Sequence, residues 1–220
     1  MIFTHAGKLG DFLLCLPVAS YYYKTTGDKV HFVLPKGIPH IQKAISLLEY
    51  QDFTEKVSLI DFKIHNFNCG GQPWNINPAD FGIEGEYKNF GYFSLPGKYV
   101  PEYYAQNTSL GVDYEYRIQY PKRETPELVG KILCFNDYGI LDDMYDLKDQ
   151  KYHIASMDDD ILTNLIKLNN AEKSISGYSA SVILCDWSNI KDHTAYVKKE
   201  IDYRIRDTFI KNLKNIIFIK

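Results

Sequence analysis

The feature that most constrains the fold is the order of patterns in the first 35 residues. An apolar run at residues 2–5 leads into a glycine turn at residues 6–10, and a helical pattern follows. A second apolar run at residues 30–34 then ends at Pro35. A strand, a helix and a strand within about 30 residues form a βαβ unit, so this opening predicts a parallel sheet.

The helix of this unit has an apolar face, and Pro17 and Gly27 affect its course and its end. Phe12, Leu16 and Ala19 recur at the spacing of one helix face. Pro17 lies inside that pattern and predicts either a kink or a later helix start, because proline lacks the N–H that a helix interior needs. Gly27 predicts the helix end.

The same alternation continues to the end of the chain. Further helices are predicted at residues 38–48, 101–108, 159–169, 179–190 and 202–213, and further strands at 57–62, 131–135, 173–176, 194–197 and 216–219. Residues 120–129 carry two prolines and mixed charges, which predicts a boundary between domains 1–125 and 126–220. The expected fold class is α/β: two doubly wound parallel-sheet lobes that face each other, the second reduced to three or four short strands.

Composition excludes several classes of protein. The chain is 45% hydrophobic, with a net charge of −3 and a pI near 6.1, so neither a disordered chain nor a nucleic-acid partner is expected. The apolar stretches are too short for a bilayer span and the N-terminus lacks the layout of a signal peptide, so we expect a cytoplasmic protein. The cationic last stretch is interpreted as a solvated helix face, with peripheral contact to anionic lipid as the alternative. The oligomeric state is left open.

Cysteines and histidines are scattered along the sequence. The four cysteines show no paired spacing, and three lie in apolar runs, so buried free thiols are expected rather than disulfides or zinc ligands. No metal site is predicted.

The turn after the first strand is the strongest local signal for chemistry. Gly7 and Gly10 allow the backbone to approach a ligand, and the following helix start offers N–H groups to an anion. Lys8 is either a phosphate partner or an exposed cation. Asp11 is either a helix cap or a base that takes a proton from a substrate hydroxyl. Because a helix start lowers the pKa of a carboxyl, Asp11 is expected to be ionised and a weak base.

A long segment at residues 66–98 is rich in glycine, proline and aromatic residues, which predicts an irregular and functional loop. Trp74, Asn75 and Asn77 suit a sugar, since an aromatic face packs on C–H bonds while amides bind hydroxyls. A loop that packs its own rings is the alternative.

Residues 5–17, HAGKLGDFLLCLP, resemble the N-terminal motif of the heptosyltransferase family, in which a strand leads into Gly-x-x-Gly-Asp and a helix carrying Leu-Pro. The resemblance implies a GT-B fold and sugar transfer from a nucleotide sugar to an acceptor glycan hydroxyl, without a metal or other cofactor. It also implies that Asp11 is the catalytic base.

Residues 159–170, followed by residues 171–181, are similar to the family's helix, strand and donor-phosphate loop, and that loop runs Asp-(Ser/Thr)-Gly-x-x-His. Here Tyr178 stands at the Asp position, Ala180 at the Gly position and Ile183 at the His position, while Ser179 keeps the hydroxyl. The resemblance implies donor contacts by the loop residues and by the segment after the preceding strand, namely Gly177, Tyr178, Ser179, Ser181 and Asn136. A serine-rich cap on a buried helix is the alternative interpretation.

Three hypotheses for function follow. The first is a glycosyltransferase that uses a nucleotide-sugar donor and a glycan acceptor, with Gly7, Lys8 and Gly10 near the donor and Asp11 as base. The second is a non-catalytic module of the same fold that binds a glycan or a protein, which the altered donor loop favours. A dinucleotide-binding enzyme is the third, and it lacks a third glycine and a suitable acidic residue.

Overall fold

The computed structural model describes residues 1–63, 76–92, 96–156, 159–177, 179–188, 190, 192–198 and 215–219. The chain divides into two compact units, Met1–Tyr116 and Arg117–Lys220. The predicted boundary after residue 125 falls later, within the second unit.

The first unit is a parallel sheet with helices between its strands. Its elements are β1 (Ile2–His5), α1 (Leu9–Leu13), α2 (Leu16–Thr26), β2 (Val30–Pro35), α3 (Ile45–Tyr50), β3 (Thr54–Ile60), β4 (Tyr87–Phe90) and α4 (Val100–Thr108). The strand order is β3-β2-β1-β4 and every pairing is parallel. Because the chain runs outward from β1 to β3 and returns on the other side of β1, a topological switch point lies between β1 and β4.

The prediction of the first helix is confirmed in its main features. Pro17 lies in the first turn of α2, and α1 ends at Leu13, so the helical pattern is divided into two helices. Proline is tolerated there because the first N–H groups of a helix have no intrahelical partner. Gly27 ends α2 with a φ of 79°, a left-handed conformation that favours glycine.

The prediction of an irregular segment at residues 66–98 is wrong in part. Tyr87–Phe90 forms β4, which pairs with β1 from Ile2 to His5. Pro78–Phe81 forms a turn of 3-10 helix. The remainder of the segment includes residues 66–75 and 93–95, which lie outside the described residues.

The second unit is also a parallel sheet. Its elements are β5 (Ile132–Phe135), β6 (Tyr152–Ile154), α5 (Ile161–Asn170), β7 (Lys173–Gly177), α6 (Ala180–Trp187), β8 (His193–Lys198) and β9 (Asn215–Ile219). The strand order is β6-β5-β7-β8-β9, so the expectation of three or four strands is wrong, because the described residues alone form five. Its switch point lies between β5 and β7, because β6 lies on the outer side of β5 whereas β8 and β9 lie beyond β7. The helix predicted at residues 202–213 lies outside the described residues.

Each unit has its own hydrophobic core. In the first, aromatic rings on β1, β2, β4, α1 and α4 pack edge to face or tilted: Phe3, Phe32, Phe90, Phe12 and Tyr104. In the second, Cys134, Leu141, Ile175 and Tyr196 form a buried cluster. Cys15, Cys134 and Cys185 are buried free thiols, as predicted for cysteines in apolar runs.

Candidate functional site

The turn from β1 into α1 brings Asp11 to the switch point of the first sheet. Lys8 is the N-cap of α1, with extended backbone angles (φ −68°, ψ 160°), and Asp11 is the third residue of the helix. The interpretation of Asp11 as the N-cap is therefore wrong. The helix starts earlier than the apolar spacing indicated, because the turn needs only Ala6 and Gly7 before Lys8.

The Asp11 side chain is buried and held by a tyrosine hydroxyl. Asp11 is 8% exposed. Its Oδ1 accepts a hydrogen bond from the Tyr92 hydroxyl, with an oxygen–oxygen distance of 2.5 Å. Tyr92 lies two residues beyond β4, and β4 ends with Phe90 paired to His5. The two neighbouring strands thus deliver the carboxylate and the hydroxyl to the same edge of the sheet.

A second chain of hydrogen bonds fixes the backbone of the turn. The Gly7 N–H donates to His5 Nδ1 at 2.9 Å, so the neutral ring carries its proton on Nε2. That nitrogen donates to the Tyr104 hydroxyl at 3.1 Å, which in turn donates to the Asp11 carbonyl at 3.2 Å. Burial lowers the pKa of His5 to about 3, so the ring is neutral at pH 7. The network therefore holds the turn without placing a second charge there.

The pKa of Asp11 moves in the opposite direction to the prediction. Burial raises the pKa of the Asp11 carboxyl, while the hydrogen bond from Tyr92 and the charge and backbone of Lys8 oppose that rise. The prediction from the helix start alone is wrong because the loss of water around the carboxylate is the larger effect. A higher pKa makes Asp11 a stronger base than an exposed aspartate.

The remaining residues of the turn have different surroundings. The Gly7 N–H is used by His5, Lys8 is exposed, and Gly10 is half-buried in the first turn of α1. Lys8 therefore carries a positive charge at the exposed surface of the turn.

The switch point of the second sheet holds a different arrangement, centred on Asp137. This residue begins a short 3-10 turn after β5. Its Oδ2 accepts hydrogen bonds from the hydroxyls of Ser179 and Ser181, the latter at 2.6 Å. Ser179 is the N-cap of α6 and accepts from the Ser181 N–H at 3.1 Å. The serine cap interpretation is therefore confirmed, and both hydroxyls are directed at a carboxylate of the same unit.

Close packing fixes the two loops of this second site against each other. A Cβ on Gly177 would lie 2.6 Å from Ile140 Cγ2 and 3.2 Å from the Asp137 carbonyl oxygen. Asn136 donates from Nδ2 to Asp142 at 2.6 Å and accepts the Leu141 N–H at 3.1 Å, so it holds the turn after β5.

A buried histidine lies next to the second site. His193 on β8 contacts the Ser174 hydroxyl through Nδ1 at 2.6 Å and the Ser176 hydroxyl through Nε2 at 3.0 Å. Burial lowers the pKa of His193 to about 4, so this ring is neutral at pH 7. Both serines are on β7, the strand that leads into the serine cap.

The other predicted ligand-binding residues are placed as follows. Asn77 accepts the Ala79 N–H at 3.3 Å and donates to Asp80 at 3.0 Å, which caps the 3-10 turn at Pro78–Phe81. Trp74, Asn75 and Tyr178 lie outside the described residues.

Sequence reasoning missed five residues of the two sites: Tyr92, Tyr104, His5, Asp137 and His193. Asp137 adjoins the predicted Asn136, and the signal that marks it is a carboxylate directly after a buried strand. The tyrosines and histidines carry no such local mark, because their partners are distant in sequence.

The described residues include neither a cluster of metal-ligand side chains nor a membrane-spanning helix. In this part of the chain, no group of three or more His, Cys, Asp or Glu residues is arranged to hold a metal ion. Among the helices within it, none is both long and apolar enough to cross a bilayer.

The two parallel sheets and their connecting helices define an α/β protein with the fold of the GT-B heptosyltransferases. The structure is similar to that of Escherichia coli heptosyltransferase WaaC with ADP, with a TM-score of 0.60 and 9% sequence identity. The match covers 100% of this chain and 93% of that chain. No family model matches the sequence, and no curated protein matches it significantly. The predicted heptosyltransferase-like fold is thus confirmed at the level of structure.

Proposed function

We propose that the protein is a glycosyltransferase that moves a sugar from a nucleotide-diphosphate donor to a hydroxyl of an acceptor glycan, with Asp11 as general base. The observation that carries this proposal is the place of Asp11: a carboxylate 8% exposed at the switch point between β1 and β4. Ligands of open α/β sheets bind at such points, beyond the carboxyl ends of the strands. The residue also occupies the position of the base in the motif that residues 5–17 resemble.

The reaction needs one proton transfer and one displacement. The acceptor hydroxyl gives its proton to the Asp11 carboxylate while its oxygen bonds to the anomeric carbon of the donor sugar. The bond from that carbon to the diphosphate oxygen breaks, and the nucleotide diphosphate leaves with the electron pair. A single displacement inverts the anomeric centre. The raised pKa of Asp11 supports this role because it strengthens the base.

The donor diphosphate requires groups that stabilise its negative charge as it leaves. We assign this task to the N-terminal turn of α6, with its N–H groups and the hydroxyls of Ser179 and Ser181. In the structure these hydroxyls donate to Asp137. Donor binding would therefore require them to turn from Asp137 to the phosphates. No metal or other cofactor is assigned a role in the proposal.

A second candidate is a module that binds a glycan or a protein without turnover. The specific observation in its favour is Asp137, because a carboxylate beside Ser179 and Ser181 repels a diphosphate and uses the hydroxyls that would bind it. Under this hypothesis the first site binds a glycan, and the second site serves only to cap α6.

A panel of nucleotide sugars tests both candidates. ADP-sugars lead the panel, since the E. coli heptosyltransferase was solved with ADP, and UDP-, GDP- and CMP-sugars complete it. A ligand that binds the native state raises the melting temperature. A shift with one donor supports the enzyme, whereas silence from every donor together with a shift from free glycans supports the binding module.

Transfer activity with the donor found in this way is then measured in Asp11→Asn. We expect kcat/KM to fall about 10²- to 10⁴-fold, the usual contribution of a general base. Asp61→Asn is the matched control, because the Asp61 side chain is 83% exposed and pairs with Lys36 on the surface. Full activity in Asp11→Asn would overturn the assignment of the base.

A further inference from the structure

The backbone that follows β4 places Tyr92 beside Asp11. The pairing of β4 with β1 ends at Phe90 beside His5. Gly91 follows with a φ of 154°, a backbone conformation that residues with a side chain rarely adopt. Tyr92 then lies next to the turn that carries Asp11. Tyr92 is 3% exposed, so both partners of its hydrogen bond to Asp11 are buried.

A second tyrosine fixes the position of the Tyr92 ring. The rings of Tyr92 and Tyr104 are stacked, with centroids 6.3 Å apart and an angle of 27° between their planes. The Tyr104 hydroxyl donates to the Asp11 carbonyl, so the ring that supports Tyr92 is itself bonded to the Asp11 backbone. The side chain and the main chain of Asp11 are thus held by two tyrosines in contact.

The hydroxyl matters because Asp11 has lost most of its water. A buried carboxylate is unstable in its charged form unless hydrogen-bond donors replace the water. A bond from a hydroxyl to a charged oxygen is among the stronger hydrogen bonds in proteins. The Tyr92 hydroxyl supplies such a bond at 2.5 Å.

We propose that Tyr92 is a positioning residue for Asp11: its hydroxyl holds Oδ1 in a fixed direction and stabilises the carboxylate over the neutral acid. The use of that carboxylate as a base rests on the proposed function, whereas its orientation and ionisation do not.

The other groups that face Asp11 have defined effects. Lys8, the N-cap of α1, favours the carboxylate through its charge and backbone. The Cys15 thiol and the Tyr104 hydroxyl also lie near Asp11, and burial raises the pKa of each well above its usual range, so both stay neutral. His5, bonded to Tyr104, is neutral as well. Tyr92 therefore donates the side-chain hydrogen bond that favours the charged form of Asp11.

The test is a titration of the Asp11 carboxyl carbon by nuclear magnetic resonance in the wild-type protein and in Tyr92→Phe. The Asp11 signal is assigned by its loss in Asp11→Asn. We expect the Asp11 midpoint to move to higher pH in Tyr92→Phe, because the ring remains while the donor is lost. Tyr114→Phe, which removes an exposed hydroxyl bonded to Glu102, is the matched control and should leave the midpoint unchanged. An unchanged midpoint in Tyr92→Phe would overturn the proposal.

Two further readouts separate this proposal from the proposed function. With an identified donor and acceptor, Tyr92→Phe should lower kcat about tenfold and move the acidic limb of the pH profile upward, since loss of one such bond costs about 1.4 kcal/mol. If the Asp11 midpoint moves in Tyr92→Phe but the wild-type protein has no transfer activity, the proposed glycosyltransferase function is overturned and the positioning role of Tyr92 stands. Should Tyr92→Phe be less stable, the unfolding free energies of the wild type, Tyr92→Phe, Asp11→Asn and the double variant complete a cycle whose coupling energy the proposal requires to be non-zero at pH 7.

Discussion

Both sheets place an aspartate beside hydroxyl groups at the switch point, but the two carboxylates have opposite surroundings. Asp11 lies within a helical turn, is nearly buried, and accepts from a tyrosine that follows another strand. Asp137 lies in an open turn after β5, is half-buried, and accepts from two serines at the start of α6. The same topology therefore holds one carboxylate that burial destabilises and another whose hydrogen bonds stabilise the fold.

This difference bears directly on function. A desolvated carboxylate is a reactive group kept at some cost in stability, a combination that is typical of catalytic sites. Asp137, which accepts from the hydroxyl of the N-cap Ser179 and from that of Ser181, contributes to structure. The proposed chemistry therefore belongs to the first unit, and the second unit contributes a donor loop only if the serines exchange Asp137 for a phosphate.

Each site has a buried neutral histidine, and the first prediction concerns the effect of His193 on the free energy of unfolding. Burial depresses the folded pKa of His193 to about 4 from 6.5, so the histidine contributes stability that is present above pH 6.5 and lost as the pH falls. We expect His193 to account for a loss of roughly 2 kcal/mol between pH 7 and pH 5. Urea denaturation across this range measures it.

His5 also contributes to the pH dependence of the unfolding free energy, and with the same sign, because burial lowers its pKa to about 3. The contribution of His193 is therefore isolated by substitution. In His193→Asn, the dependence of the unfolding free energy on pH should weaken by about one proton in this window. An unaltered slope would mean that His193 is not held neutral, and the description of the second site would be wrong.

The next effect concerns the packing of the second site. Gly177→Ala places a Cβ 2.6 Å from Ile140 Cγ2, within a loop that the Asp137 backbone also contacts. We expect a loss of about 1–3 kcal/mol, the usual cost of overpacking, measured as a lower melting temperature. Gly37→Ala is the matched control, since a Cβ there meets nothing within 4 Å. Equal stability of the two variants would show that the loops can separate, which would favour the donor-binding hypothesis for the second unit.

Local patterns predicted most of the fold. Local sequence patterns predicted α4, α5 and α6 within a few residues, and Pro17 predicted a kink or a later helix start where the structure has the break between α1 and α2. The strands β4 and β6 were missed because they are short and carry polar residues, such as Lys88 and Asn89 in β4. Their extended structure depends on pairing with β1 and β5, which no local pattern shows.

The candidate sites were predicted less completely, for a physical reason. Asp11 and Ser179 were identified because each follows a strand and precedes or begins a helix. Their partners are distant: Tyr92 lies 81 residues from Asp11, and Asp137 lies 42 residues from Ser179. The direction of the Asp11 pKa was wrong because the helix start is visible in the sequence, whereas burial depends on the packing of the whole unit.

The most direct test of the account compares the unfolding free energies of Asp11→Asn and Asp137→Asn with that of the wild-type protein as the pH changes. The folded pKa of Asp11 is raised above its unfolded value, so the ionisation of Asp11 has no effect on stability below the unfolded pKa and destabilises the wild-type protein fully above the folded pKa. Asp11→Asn should therefore gain stability relative to the wild type as the pH rises to 7, while Asp137→Asn should lose about 1 kcal/mol with its hydrogen bonds. A loss at pH 7 in Asp11→Asn would contradict the account, since it would make Asp11 a structural carboxylate like Asp137.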